Sequence, residues 1–266
     1  MRMPAFVLPV SGLCVILREP TGWEDLLLAE GRADDPALAL ALAQRLGRAE
    51  PDCDWAELPV HDIDTLIARL RQALIGDRVI ADTTCGAAAC GQRVDLSFDL
   101  GAYLAHHRPH APRGRGWAAK ADHDATGWYC LTAPAAAMAR FRLPTLGDQM
   151  AVDGVVDQAA LLAQRCIAPA GMPGRLVRRV EAAMQAMAPV LAGPLQGQCP
   201  ECGASIQAWF NLRLYCLSEL SLRARYVLDD IDILAERYHW SERAILRLPR
   251  ARREHYAERA RLARAA

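Results

Sequence analysis

Two cysteine-glycine steps with identical downstream hydrophobic spacing constrain this chain more than any other feature. Cys90-Gly91 is followed by Val94, Leu96, Phe98, Leu100 and Tyr103, and Cys202-Gly203 by Ile206, Ala208, Phe210, Leu212 and Tyr215. From Val94 to Phe98 and from Ile206 to Phe210 the pattern has period two, so each stretch reads as a strand with one buried face. A short helix is expected after each, from about Gly101 and about Arg213. Residues 85 to 103 and 199 to 215 therefore read as two copies of one cysteine-knuckle unit.

Cys199-Pro200-Glu201-Cys202-Gly203 has the spacing of a metal knuckle, in which glycine lets the backbone turn beneath the ion. The first copy places four residues between Cys85 and Cys90, a spacing that zinc also accepts but that is less specific. One knuckle offers two ligands and structural zinc takes four. Two related halves packed about a pseudo-twofold axis would bring Cys85, Cys90, Cys199 and Cys202 to one structural zinc. A site that has kept only its packing, or a disulfide within one pair, is the alternative. Four thiolates point to structure, since a catalytic zinc keeps an open position, usually with histidine and a nearby carboxylate. Cys14, Cys53, Cys130, Cys166 and Cys216 read as small buried hydrophobes.

The likeness between the halves extends upstream. Arg18-Glu19-Pro20-Thr21 precedes Gly22-Trp23-Glu24, and Arg142-Leu143-Pro144-Thr145 precedes Leu146-Gly147-Asp148. In both, a threonine after proline is placed to cap a helix whose third residue is an acid. Leu42-Ala43-Gln44-Arg45 and Leu162-Ala163-Gln164-Arg165 follow in matching helical stretches, and helix-period segments lead into each knuckle. The expected fold is α+β and helix-rich. It has two pseudo-repeated halves, 13–105 and 138–216, each with a knuckle and short strands, then a C-terminal helical tail, 217–266. Between the halves, 106–137 reads as a linker or insertion, because proline, glycine and charge crowd His106 to Gly116. Its histidines, 106, 107, 110 and 123, lack fixed ligand spacing, and its arginines read as solvated.

In the tail, the apolar positions from Leu212 to Tyr238 predict one long helix. Trp240 then interrupts it, Ser241 caps a short helix, and Pro249 opens a last helix with a basic surface. Tyr238, Trp240, Ile245, Leu248, Arg252 and Arg253 are the candidate partner-binding residues. The competing expectation is a local mini-core with its arginines in solvent.

Charge and composition narrow the function. Acidic and basic residues number 31 each, so no overall field favours nucleic acid or an anionic membrane. Nine cysteines, an odd number that includes a metal-type pair, fit a reducing compartment better than a secreted disulfide framework. Pro4, Pro9 and Gly12 interrupt the apolar N-terminus, and no apolar run reaches membrane length, so a cytoplasmic protein without membrane contact is expected. No nucleotide-binding, metalloprotease or serine-hydrolase motif occurs. Asp229, Asp230 and Asp232 read as a solvated acidic stretch, and the acids beside His61 as helix-start chemistry. An enzyme with a small-molecule substrate is not expected.

Taken in order along the chain, several segments resemble the T-even-phage-type baseplate hub assembly proteins of contractile tails and tail-derived injection systems. They are Leu17-Arg18-Glu19-Pro20-Thr21-Gly22 with Glu24 and Leu26-Leu27-Leu28, Gly76-Asp77-Arg78, Phe141-Arg142-Leu143-Pro144-Thr145 and Cys199-Pro200-Glu201-Cys202-Gly203. Tyr238-His239-Trp240-Ser241, with Ile245-Leu246 and Leu248-Pro249, completes the set. The resemblance spans most of the chain outside 106–128. It implies a non-enzymatic role in building the baseplate hub through contacts with other tail proteins. The rival expectation is a zinc-ribbon nucleic-acid-binding protein, but the knuckle strands lack interleaved aromatic and basic residues for stacking and tracking a strand.

Overall fold

The computed structural model describes residues 3–114, 117–122, 126–132 and 139–265. Strands β1 (Phe6–Val7) and β2 (Cys14–Leu17) pair antiparallel. Helices α1 (Gly22–Glu30) and α2 (Pro36–Leu46) come next, and β3 (Gly47–Glu50) returns alongside β2. Asp35 starts α2 by accepting from the Ala37 amide, while Pro36 fills a first-turn position that needs no amide hydrogen. A 3-10 turn, Trp55–Glu57, leads through Leu58-Pro59 into α3 (Val60–Ile75). The hairpin β4 (Arg78–Thr84) and β5 (Arg93–Asp99) runs in register from Arg78↔Asp99 to Thr84↔Arg93, and α4 (Leu100–His106) follows.

The expected linker carries strands. β6 (Arg113–Gly114), β7 (Trp117–Ala121) and β8 (Trp128–Thr132) add to β9 (Ala139–Arg142), giving with β10 (Ile167–Ala168) a sheet of order β10-β9-β8-β7-β6. Tyr129 stacks on Phe141 with centroids 5.5 Å apart, and Leu131 is buried beside it. Burial of this apolar alternation outweighs the turn-forming composition just before it. Arg115 and His123, read as solvated, lie outside the described residues.

Helices α5 (Leu146–Val152) and α6 (Gln158–Cys166) separate β9 from β10. Next come α7 (Gly174–Met187), the hairpin β11 (Ala192–Gln198) and β12 (Ser205–Asn211), and α8 (Leu212–Ala224). The order strand, two helices, strand, helix, hairpin, helix thus runs from β2 to α4 and again from β9 to α8. The expectation lacked the strand that closes each helix pair and the strand that enters each knuckle. β11 hides itself through Gly193, Pro194 and Gly197, poor strand formers that nevertheless pair along its length.

The expected single helix to Tyr238 is two helices, α8 and α9 (Val227–Tyr238), broken at Arg225-Tyr226. Leu217 and Leu220 belong to the main core, whereas Ile233 and Leu234 belong to a separate C-terminal core, and one straight helix cannot aim both stripes correctly. Ser241 caps α10 (Glu242–Leu246) by accepting from the Ala244 amide, and α11 (Arg250–Ala265) begins directly after Pro249. The main core joins Leu28, Leu42, Ile63, Leu66, Leu217 and Leu220 from α1, α2, α3 and α8. A smaller core seats Leu131 and Phe141 against Leu176 and Val180 of α7. Among the described residues no helix is long and apolar enough to cross a membrane.

Candidate metal centre

Both knuckles sit at the turns of two-stranded hairpins and close in the same way. Cys85 donates its amide to the Gln92 carbonyl at 2.8 Å, and Cys199 donates to the Ala204 carbonyl at 2.9 Å. Gly91 and Gly203 take positive φ values of 60° and 72°, a conformation side-chain-bearing residues rarely adopt. The extra residues of the first knuckle form a wider turn, in which Gly91 donates to Ala87 where Gly203 donates to Cys199.

The hairpins face each other, and all four sulfurs of Cys85, Cys90, Cys199 and Cys202 lie within 4.8 Å of one another. The Cys85–Cys202 and Cys90–Cys199 Sγ separations are 3.7 and 3.8 Å. Tetrahedral ligands about 2.3 Å from a zinc ion stand about 3.8 Å apart, so the set fits an ion of that size. All four are free cysteines in this structure, with no disulfide within either pair. Val94 and Ile206 pack beneath them, Cys85 and Cys199 are buried, and Cys202 is exposed.

The thiols differ in how readily they ionise. The Cys202 backbone amide is the largest influence on the Cys199 thiol and brings it down to about 7. At Cys90 the Gln92 amide pulls downward, but desolvation and the neighbouring thiols outweigh it and push the group up to about 12. Sulfurs this close resist ionising together unless a cation shares their charge.

The pairing has a further regularity. If Cys85 corresponds to Cys199 and Cys90 to Cys202, the two close sulfur pairs are one contact seen from both sides, the pattern of an isologous interface. Below the cysteines the equivalent aromatics also meet. Phe98 stands edge-on to Phe210 at 5.2 Å, and the Tyr215 hydroxyl donates to the Ile80 carbonyl at 3.1 Å.

The six candidate partner-binding residues divide. Ile245 is fully buried, and Arg253 is 2% exposed, its guanidinium held by Asp25 and Asp230. These two are interior and are corrected from surface anchors. Tyr238 and Trp240 stack at 4.9 Å, and Tyr256 meets Trp240 edge-on at 5.3 Å, which makes a half-buried mini-core. Leu248 is half-buried and Arg252 exposed.

The tail's arginines are not all in solvent, and Asp230 is not part of a solvated stretch. Arg250 and Arg253 both bind Asp25 of α1, and Asp230 takes Arg253 at 3.1 Å and Arg261 at 2.6 Å. Asp62 likewise does more than start a helix, accepting from the Val10 and Ser11 amides at 2.9 and 2.8 Å to tie down the N-terminal hairpin. Of the cysteines expected to be buried, Cys166 and Cys216 are, but Cys14 is exposed.

Comparison with known proteins returns no matching family model, no matching curated protein and no matching solved structure.

Proposed function

We propose that the protein is a non-enzymatic assembly factor of a phage-like contractile-tail baseplate hub, braced by one structural zinc on Cys85, Cys90, Cys199 and Cys202. The observation that carries the brace is the four-sulfur set, drawn in pairs from residues 117 and 109 positions apart in the chain. A metal held by four thiolates ties one hairpin to the other and has no coordination position left for water or substrate. Zinc suits the set better than a hard cation, which would call for oxygen ligands.

The tail assignment rests on the ordered motifs that resemble the baseplate family. Those motifs fall at positions with structural work to do: both Pro-Thr helix starts, the second knuckle, and the Trp240 turn of the C-terminal core. Arg252 and the outer edges of Tyr238, Trp240 and Leu248 are the tail surface left for contact. The nucleic-acid reading loses support here, because Arg250 and Arg253 are spent on internal carboxylates.

The test is to produce the tagged full-length chain together with the sheath, tube and spike genes of its own cluster. Baseplate-hub proteins should co-purify with it, and tails should fail to assemble when the gene is deleted. Normal tails without the gene would contradict the proposal.

A further inference from the structure

Among the described residues there are two corners and three receivers for them. Each corner turns from a strand through Pro-Thr into a helix, Glu19-Pro20-Thr21 into α1 and Leu143-Pro144-Thr145 into α5. In both, the threonine amide donates to the acid at the third helical position, Glu24 at 2.9 Å and Asp148 at 3.1 Å. Each receiver is a helix, a connection, and a residue-proline step whose proline stands immediately before a second helix, unlike Pro36, which lies inside α2. The three are α2 with Leu58-Pro59 and α3, α9 with Leu248-Pro249 and α11, and α6 with Met172-Pro173 and α7.

Two receivers are filled. Pro59 bridges antiparallel to Thr145, with the Val60 amide on the Pro144 carbonyl at 3.1 Å and the Leu146 amide on the Leu58 carbonyl at 3.0 Å. Pro249 makes the same bridge to Thr21, with the Arg250 amide on the Pro20 carbonyl at 3.1 Å. Glycine stands in the first turn of each docked helix because a short turn crosses it closely. A Cβ on Gly22 would lie 2.7 Å from the Leu246 Cα, and one on Gly147 would lie 3.1 Å from the Ala56 carbonyl oxygen. The residues one and four past the receiver's proline differ with the corner served. Arg250 and Arg253 bind Asp25, the fourth residue of α1, whereas Val60 and Ile63 belong to the receiver whose corner has the uncharged Gln149 there.

The third receiver holds no corner among the described residues. A cleft of about 430 Å³ opens at this place, lined by Ala163, Ile167, Pro169, Met172 and Val177. Pro173 and Gly174 beside it are exposed. We infer that this cleft docks a Pro-Thr corner supplied by another protein. The corner it fits has a glycine in the first helical turn, an acid at the third position and an uncharged residue at the fourth, since Gly174 and Val177 stand where the second receiver has its arginines. A second copy of this chain is a poor source. Both of its corners are engaged, and freeing the first would take from Arg250 its carboxylate and from Arg253 one of its two. The inference rests on this geometry and not on the tail assignment, so a partner from outside any tail would sink that assignment and leave the docking intact.

The test places a photoreactive benzoylphenylalanine at Val177 of the full chain in the producing cells, with Ala163 as a second position and Val156, fully exposed, as control. The expected product forms from Val177 or Ala163 and not from Val156, and its crosslink maps to a Pro-Thr helix start of a different protein. Adding Met172→Arg should abolish it while the far-ultraviolet circular dichroism is unchanged. Crosslinks to a second copy, crosslinks to a segment without such a corner, or no product above the Val156 control would overturn the inference.

Discussion

At the scale of single residues, the buried carboxylates do more than any motif announces. Asp148 is 2% exposed and accepts from Arg142 at 2.5 and 2.6 Å and from Arg165 at 2.8 Å. Desolvation alone would raise its pKa, but the Arg142 pair, the Thr145 amide and Arg165 together hold it far below the usual carboxylate range. Glu24 is lowered as well, Arg18 and Thr21 outweighing desolvation there. Because these folded-state values are depressed, their stabilisation is fully present above the unfolded carboxylate pKa near 4 and is lost as the pH falls toward the folded values. Asp148→Asn should cost about 2–3 kcal/mol at neutral pH, less than a fully buried pair because its arginines are partly solvated. The melting temperature of the variant should fall less between about pH 4 and pH 2 than that of the wild type. Equal acid slopes in the two proteins would show that Asp148 does not carry the effect. Asp25→Ala strips interior Arg250 of its carboxylate, leaves Arg253 with Asp230 alone, and should cost about 3–5 kcal/mol in denaturant unfolding. Amide exchange should place the loosening in α10 and α11.

At the scale of elements, the knuckle ends of the two hairpins are the parts that a metal on the cysteines would hold, since the other ends reach the main core through Val79 and Phe210. Cys85, Val94, Cys199 and Ile206 form a small cluster separate from the main core, and each hairpin sheet has only two strands. Two-stranded sheets are marginal by themselves. Removal of metal with a chelator should therefore speed amide exchange at the knuckle ends of β4, β5, β11 and β12 while α2 and α3 stay protected, which hydrogen exchange with mass spectrometry reads directly. Uniform loosening of the whole chain would mean that the hairpins are not independent units. The knuckles were legible in sequence because cysteine pair, glycine and alternation are all local. β4 and β11 were missed because strand pairing, not residue preference, decides them, and β7 and β8 because a composition typical of loops stands just before them. The break between α8 and α9 was also hidden. A hydrophobic period tells which residues face inward, not which of two cores they face.

At the scale of the whole molecule, what the sequence conceals is distance. Asp25 and Arg250 are 225 residues apart, and nothing in the local charge pattern separates an arginine in solvent from one pinned to a buried carboxylate. Ile245 and Arg253 were misread for that reason. The four cysteines do come together as expected, because each pair is marked by local spacing and each sits at a hairpin turn. The recurrence of element order from β2 to α4 and from β9 to α8, with isologous sulfur contacts, is the mark expected of an internal duplication whose halves close on one ion. If so, the metal joins two halves and does not decorate one, and the most direct test is X-ray absorption at the zinc edge on protein purified without chelator. The account predicts one zinc per chain with four sulfur neighbours at about 2.3 Å, lost in Cys199→Ser. Metal-free folded protein, or a zinc shell containing nitrogen or oxygen, would contradict it.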